Sequence, residues 1–111
     1  MWRGTMKIAF IGAESTIFAE RVIKDVWKSN KKDVQLCLAA YDTSEEGLQK
    51  SFAELSALKT NYGNNIVIET YLGQPQKASA LADSNFVVEA IRIGEAYVRM
   101  QVFKSKDYPA Q

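Results

Sequence analysis

The 111-residue sequence predicts an α/β fold: a parallel sheet in a three-layer α/β/α arrangement. Two observations predict it. Four short apolar runs are each followed by a stretch with helical spacing or helix-start residues, and each run stops at a glycine or an aspartate. The alternation is regular, with no internal repeat, linker or low-complexity segment.

The first run, Lys7 to Ile11, ends at Gly12 and reads as a buried strand. Ser15 and Thr16 are candidate N-caps for a helix whose apolar face carries Ile17, Phe18, Val22, Ile23, Val26 and Trp27. The polar break Ser29–Lys32 follows. Its lysines, with Lys28, read as a solvated helix end favoured by the helix dipole. Val34 to Tyr41 is the second strand, closing at Asp42. Thr43 and Glu46 have capping-box spacing, and the next helix places Leu48, Phe52, Leu55 and Leu58 on one stripe. That helix is expected to end near Tyr62–Asn65, with Gly63 as its stop.

Ile66 to Leu72 is the third strand, and Gly73 to Asp83 a short helical crossover with Pro75 in its first turn. Phe86 to Ile93 is the fourth strand, stopped by Gly94. Glu95 to Lys104 is expected to form a last helix, and Lys106 to Gln111 to fray. Right-handed crossovers between parallel strands favour the order 3-2-1-4, a Rossmann-like sheet with helices on both faces.

Composition excludes several function classes. With 14 basic and 13 acidic residues the net charge is +1, which argues against nucleic acid and anionic membranes as partners. No apolar run approaches the roughly 18 residues of a membrane span, and the start does not read as a signal peptide. A single cysteine, Cys37, excludes an internal disulfide and fits a cytoplasmic location; its place in the second strand makes it a core residue. With no histidine, the chain has no imidazole base or imidazole metal ligand. The scattered Tyr and Trp residues are assigned to packing.

Three places can carry chemistry. The turn Gly12, Ala13, Glu14, Ser15, Thr16 stands where a dinucleotide fold presents backbone N–H groups to a pyrophosphate. Gly12 fits the first glycine of that pattern, but Glu14 holds the second position and Ile17 the third, so a plain strand-to-helix turn remains open. Asp42 ends the second strand, where an acid hydrogen-bonds the adenosine ribose and repels a 2′-phosphate. It lies 30 residues after Gly12, beyond the usual spacing of about 20, and a simple turn into the next helix is the alternative. Arg92 ends the fourth strand beside the expected crevice and can grip a phosphate or sugar hydroxyl; pairing with Glu89 or Glu95 is the alternative.

Taken together, the stretch Met6–Trp27, the pair Tyr41-Asp42 and the stretch Asp83–Arg99 resemble the NAD-dependent glycoside hydrolases of family 4 over about residues 6 to 100. The resemblance rests on Gly12-Ala-Glu-Ser-Thr-Ile-Phe18, Asp42 and Asp83-Ser-Asn-Phe-Val-Val-Glu-Ala-Ile-Arg-Ile-Gly94. It implies that residues 1–111 are the N-terminal NAD-binding domain of such an enzyme, truncated before its catalytic region. It implies sugar oxidation at C3 by NAD, proton removal at C2 by a tyrosine, and a divalent metal such as Mn²⁺ held by a Cys and a His of the remaining chain. The expected partners are a dinucleotide and a sugar or sugar phosphate, with self-association through an open sheet edge at the fourth strand. Two features depart from the family pattern: Glu14 in a glycine position, and Gly94-Glu95 where the family has Gly-Gly. The alternatives are a degenerate binding or interaction module of the same fold that has lost NAD, and a short Rossmann-type regulator unrelated to glycosidases.

Overall fold

The computed structural model describes residues 4–25, 34–62, 66–94 and 97–109. Strand β1 spans Thr5–Ile11. A 3₁₀ segment, Ala13–Phe18, runs directly into helix α1, Ala19–Ile23. Then come β2 (Gln35–Asp42), α2 (Glu45–Tyr62) and β3 (Ile66–Leu72). A 3₁₀ turn, Gln74–Gln76, leads into α3 (Lys77–Leu81), followed by β4 (Phe86–Ile93) and β5 (Tyr97–Lys104). The sheet order is β3-β2-β1-β4-β5; the first four strands are parallel and β5 is antiparallel to β4.

Strand register explains the layers. Ile8 pairs with Leu38 and Phe86, Phe10 with Ala40 and Val88, and Leu36 with Ile66. Side chains alternate across a strand, so these residues share one face. Ile8, Phe10, Leu36, Leu38, Ala40, Ile66 and Val88 are buried there in one cluster with Ala19, Val22 and Ile23 of α1 and Leu55 of α2. Each large aliphatic or aromatic member stabilises the fold by roughly 1.5–3 kcal/mol relative to exposure. The other face carries Lys7, Ala9, Cys37, Ala39, Glu69 and Tyr71. Helix α3 covers part of it, held by the Lys7 ammonium, which donates to the carbonyls of Ser79 (3.2 Å) and Ala82 (2.7 Å). At the base of the sheet, Asn85 joins β1 to β4: its N–H donates to the Lys7 carbonyl, and its side-chain oxygen accepts the Lys7 N–H.

Several expectations are corrected. The segment read as a last helix over Glu95–Lys104 is strand β5. Val98, Met100 and Val102 alternate with Arg99 and Gln101, a period of two, and Met100 and Val102 sit opposite Ala90 and Val88 of the core face. Gly94 permits the turn with φ +73°. The sheet therefore has five strands, and the edge expected to be open at the fourth strand is paired. In the first helix, neither Ser15 nor Thr16 caps. Gly12 precedes the 3₁₀ segment, and both hydroxyls donate backwards, to the carbonyls of Gly12 (2.6 Å) and Ala13 (2.8 Å).

Ile17 leaves the apolar face and is 58% exposed, because 3₁₀ winding rotates it away from the position an α-helix would give it. The capping residue of α2 is Ser44, whose Oγ accepts the Gly47 N–H at 3.2 Å, one residue later than the Thr43–Glu46 spacing predicts. Leu55 of the predicted stripe is fully buried, with Leu48 and Leu58 packed against the core, whereas Phe52 is 49% exposed. The expectations on Val26, Trp27, Lys28–Lys32, Gly63 and Glu95 lie outside the described residues.

Candidate functional site

In open α/β sheets ligands bind at the carboxyl ends of the strands, where the strand order reverses. Here that point lies between β1 and β4, with β2 beside them. Gly12 leaves β1 at φ +88° and ψ 152°, a region open to glycine and strained for other residues. Its N–H donates to the Tyr41 carbonyl at 2.8 Å, so the turn is pinned to the end of β2 beside Asp42. Space above Gly12 is open: a Cβ there would meet no atom within 4 Å. Gly73 repeats the device at the end of β3, with φ +86°, ψ 158° and its N–H on the Asp42 carbonyl at 2.9 Å. Both glycines thus fasten their turns to the last two carbonyls of β2.

The five residues of the first turn divide in two. Ser15 and Thr16 are buried, and their hydroxyls close the turn from inside. The Ser15 N–H is also turned back onto the Gly12 carbonyl at 3.1 Å. Gly12, Ala13 and Glu14 are half-buried and form the outer surface of the turn. The sequence pattern did not separate these two sets, because the division arises from the 3₁₀ winding.

Asp42 is half-buried at the end of β2, and its Oδ1 accepts the Ser44 N–H at 3.0 Å. The turn role weighed for this residue is therefore present. One participant was missed by sequence reasoning: Gly47, in the first turn of α2. A Cβ built on it would collide with the Asp42 carboxylate, so the acid packs directly on the glycine backbone. A glycine within a helix, shortly after an acid ending a strand, was the available signal.

The backbone of Arg92 lies beyond the end of the β1–β4 pairing. The β1–β4 pairing ends at Ile11 and Glu89, and β4 continues with β5 as a two-stranded ribbon. The Arg92 backbone lies three residues further along β4, roughly 10 Å beyond the end of the β1 ladder. Its side chain lies outside the described residues.

A second polar group occupies the α3 face. Lys7, Cys37, Glu69 and Tyr71 line a cleft of about 480 Å³ with Ser79 and Asp83. The Tyr71 hydroxyl donates to Glu69 Oε1 at 2.8 Å, and Lys7 Nζ lies 4.0 Å from the same oxygen. Burial, then the Glu69 charge and hydrogen bond, push the Cys37 thiol up to about 11. The hydrogen bond to Glu69 raises the Tyr71 phenol to about 12. Cys37 is thus a protonated, buried thiol, as its strand position implied, and not an activated nucleophile.

Among the described residues no three His, Cys, Asp or Glu side chains come together as a metal site. The described residues therefore do not form the divalent-metal site that the family resemblance implies. The crevice does fit a dinucleotide in two respects: the open, positive-φ Gly12 turn at a strand end and an acid ending the neighbouring strand. Glu14 on the outer surface of the turn fits it less well.

Fold and crevice together define an α/β domain of Rossmann-like topology whose strand order reverses between β1 and β4. Comparison with known proteins makes this specific. Residues 7–108 match the Family 4 glycosyl hydrolase family, and the chain belongs to it. It is 34% identical over 88 residues to an alpha-galactosidase of Bacillus subtilis (strain 168). That alignment covers 79% of this chain and 19% of the relative, so the chain matches about a fifth of that enzyme's length. No solved structure matches the chain. Among the described residues no helix is long and apolar enough to cross a membrane.

Proposed function

We propose that this chain is the dinucleotide-binding portion of a family 4 glycosidase, with NAD as the ligand of the β1–β4 crevice. The observation that carries this reading is the Gly12 turn, open above, in a glycine-specific conformation, and hydrogen-bonded to the end of the strand that carries Asp42. In this reading the backbone of Gly12, Ala13 and Glu14 faces the pyrophosphate, and Ser15 and Thr16 brace the turn from beneath. Asp42 holds the adenosine ribose hydroxyls and disfavours a 2′-phosphate, which selects NAD over NADP. NAD, when bound, supplies the redox chemistry of sugar hydrolysis in this family.

The rest of the assignment rests on family membership. The related enzyme's name gives α-galactosides as the substrate class. Arg92, on the protruding ribbon, is the candidate contact for a sugar or sugar phosphate. The metal and the catalytic base belong to the part of the family enzyme that lies outside this match. This chain alone is therefore proposed to be inactive as a glycosidase even with NAD⁺ and Mn²⁺. The single buried thiol and the family support a cytoplasmic setting.

Glu14 favours a second reading, in which the module keeps the fold but has lost the cofactor. A carboxylate beside a phosphate, at an effective dielectric near 20, adds repulsion on the order of a few kcal/mol before screening. Each 1.4 kcal/mol weakens affinity about tenfold. Paired calorimetric titrations of the parent chain and Glu14→Gly with NAD⁺ and NADP⁺ separate the readings. Weak NAD⁺ binding by the parent, at least tenfold tighter in Glu14→Gly and tighter than NADP⁺, is the expected result. No binding by either protein sinks the cofactor reading in favour of the degenerate module.

A further inference from the structure

We propose that Gly47 is a positioning residue: the absence of a side chain there sets where the Asp42 carboxylate sits and, through it, which dinucleotide the crevice prefers. The inference rests on the cofactor reading above for its second half only. Three observations carry the first half. The Asp42 carboxylate packs on the Gly47 backbone so closely that a Cβ would collide with both Oδ2 and Cγ. The same carboxylate accepts the Ser44 N–H at 3.0 Å. Ser44 Oγ in turn accepts the Gly47 N–H at 3.2 Å. The acid, the cap and the glycine thus form one unit at the start of α2, with the carboxylate seated over the first helical turn, where the helix dipole favours an anion.

Gly47 is otherwise an unfavourable choice. It stands inside a helix that spans Glu45–Tyr62, a place where glycine ordinarily weakens the helix relative to alanine. Its φ is not positive, so no backbone conformation demands glycine at this position, unlike Gly12 and Gly73. What remains is the space the carboxylate occupies. A methyl group at 47 would swing the Asp42 side chain off the Ser44 N–H, because the carboxylate is the mobile partner and the helix backbone is not. The displaced acid would then no longer be presented at the fixed point where it discriminates a 2′-hydroxyl from a 2′-phosphate.

The test is a double-mutant cycle of Gly47→Ala and Asp42→Ala, read by thermal melting without ligand, then by titration with NAD⁺ and NADP⁺. In the Asp42→Ala background, Gly47→Ala should raise the melting temperature, as helix propensity alone dictates. In the parent, the same substitution should leave it unchanged or lower it. An equal rise in both backgrounds would overturn the positioning role. In the titrations, Gly47→Ala should narrow the preference for NAD⁺ over NADP⁺ by about tenfold, as expected for one charge-assisted contact, and add nothing further when Asp42 is already alanine. An unchanged ratio overturns the selectivity role. Absence of dinucleotide binding in the parent and in Glu14→Gly overturns the cofactor reading and the selectivity role with it, while the melting cycle still decides whether Gly47 seats Asp42.

Discussion

Replacing Gly12 by alanine isolates the energetic cost of the turn at the end of β1. The backbone there has φ +88° and ψ 152°, and an alanine Cβ would meet no atom within 4 Å. The penalty is therefore conformational and not steric. A non-glycine residue held in such a region costs on the order of 1–3 kcal/mol. The stiffer unfolded chain of the variant offsets about 0.4–1 kcal/mol of that. A net loss of roughly 1–2 kcal/mol follows, and for a domain of this length it lowers the melting temperature by roughly 4–8 °C. If the turn relaxes instead, the 2.8 Å bond from the Gly12 N–H to the Tyr41 carbonyl lengthens, and the loss is of similar size. Thermal melts and urea titrations followed by circular dichroism measure it. An unchanged or raised melting temperature would refute the reasoning, since it would mean that residue 12 is not held at positive φ.

Gly73→Ala should cost about the same, because Gly73 has nearly the same φ and ψ and its Cβ would make only an ordinary contact with Pro75, 3.8 Å away; on the cofactor reading, only the Gly12 variant should also lose NAD⁺ affinity. Lys7→Met should destabilise by about 2 kcal/mol, because the side chain is only 12% exposed and its ammonium donates to two carbonyls of the α3 segment and faces Glu69; a denaturation midpoint matching the parent's would count against that bond set. Stability should fall at alkaline pH. The folded Cys37 thiol holds its proton up to about 11 and the Tyr71 phenol up to about 12, while their unfolded counterparts release theirs near 9 and 10. The contribution is thus intact below pH 9 and is lost as pH rises towards 12, and Cys37→Ala with Tyr71→Phe should flatten that decline. Folded Cys37 should also resist alkylation at pH 8 and react freely once urea unfolds the chain.

The parallel order 3-2-1-4 was legible because each of its strands is a short apolar run with its own stop at Gly12, Asp42, Gly73 or Gly94. Such signals are local, and right-handed crossover geometry supplies the rest. The candidate site was legible to the same extent: Gly12 and Asp42 could be named because strand ends in this architecture converge, and the structure brings them together through the Gly12–Tyr41 bond.

What sequence alone did not decide was set by neighbours distant in the chain. Tyr97–Lys104 has enough helix-tolerant residues to read either way, and it becomes a strand because β4 offers it an open edge and a core against which Met100 packs. Ser15 and Thr16 look like caps in a linear reading. They become internal braces because the segment enters as a 3₁₀ turn pinned by Gly12 to the end of β2. Arg92 reads as a crevice residue, yet its backbone stands beyond the β1 ladder because pairing with β5 carries β4 past its parallel neighbour. Gly47 stands out in the sequence only as a glycine inside a helix; its contact with Asp42 exists only once the carboxylate is folded onto it. Periodicity and turn chemistry act over a few residues and so determined the first four strands, with crossover handedness fixing their order. Edge pairing and the close approach of a carboxylate to a helix backbone depend on which surfaces meet, and only the tertiary structure decided those.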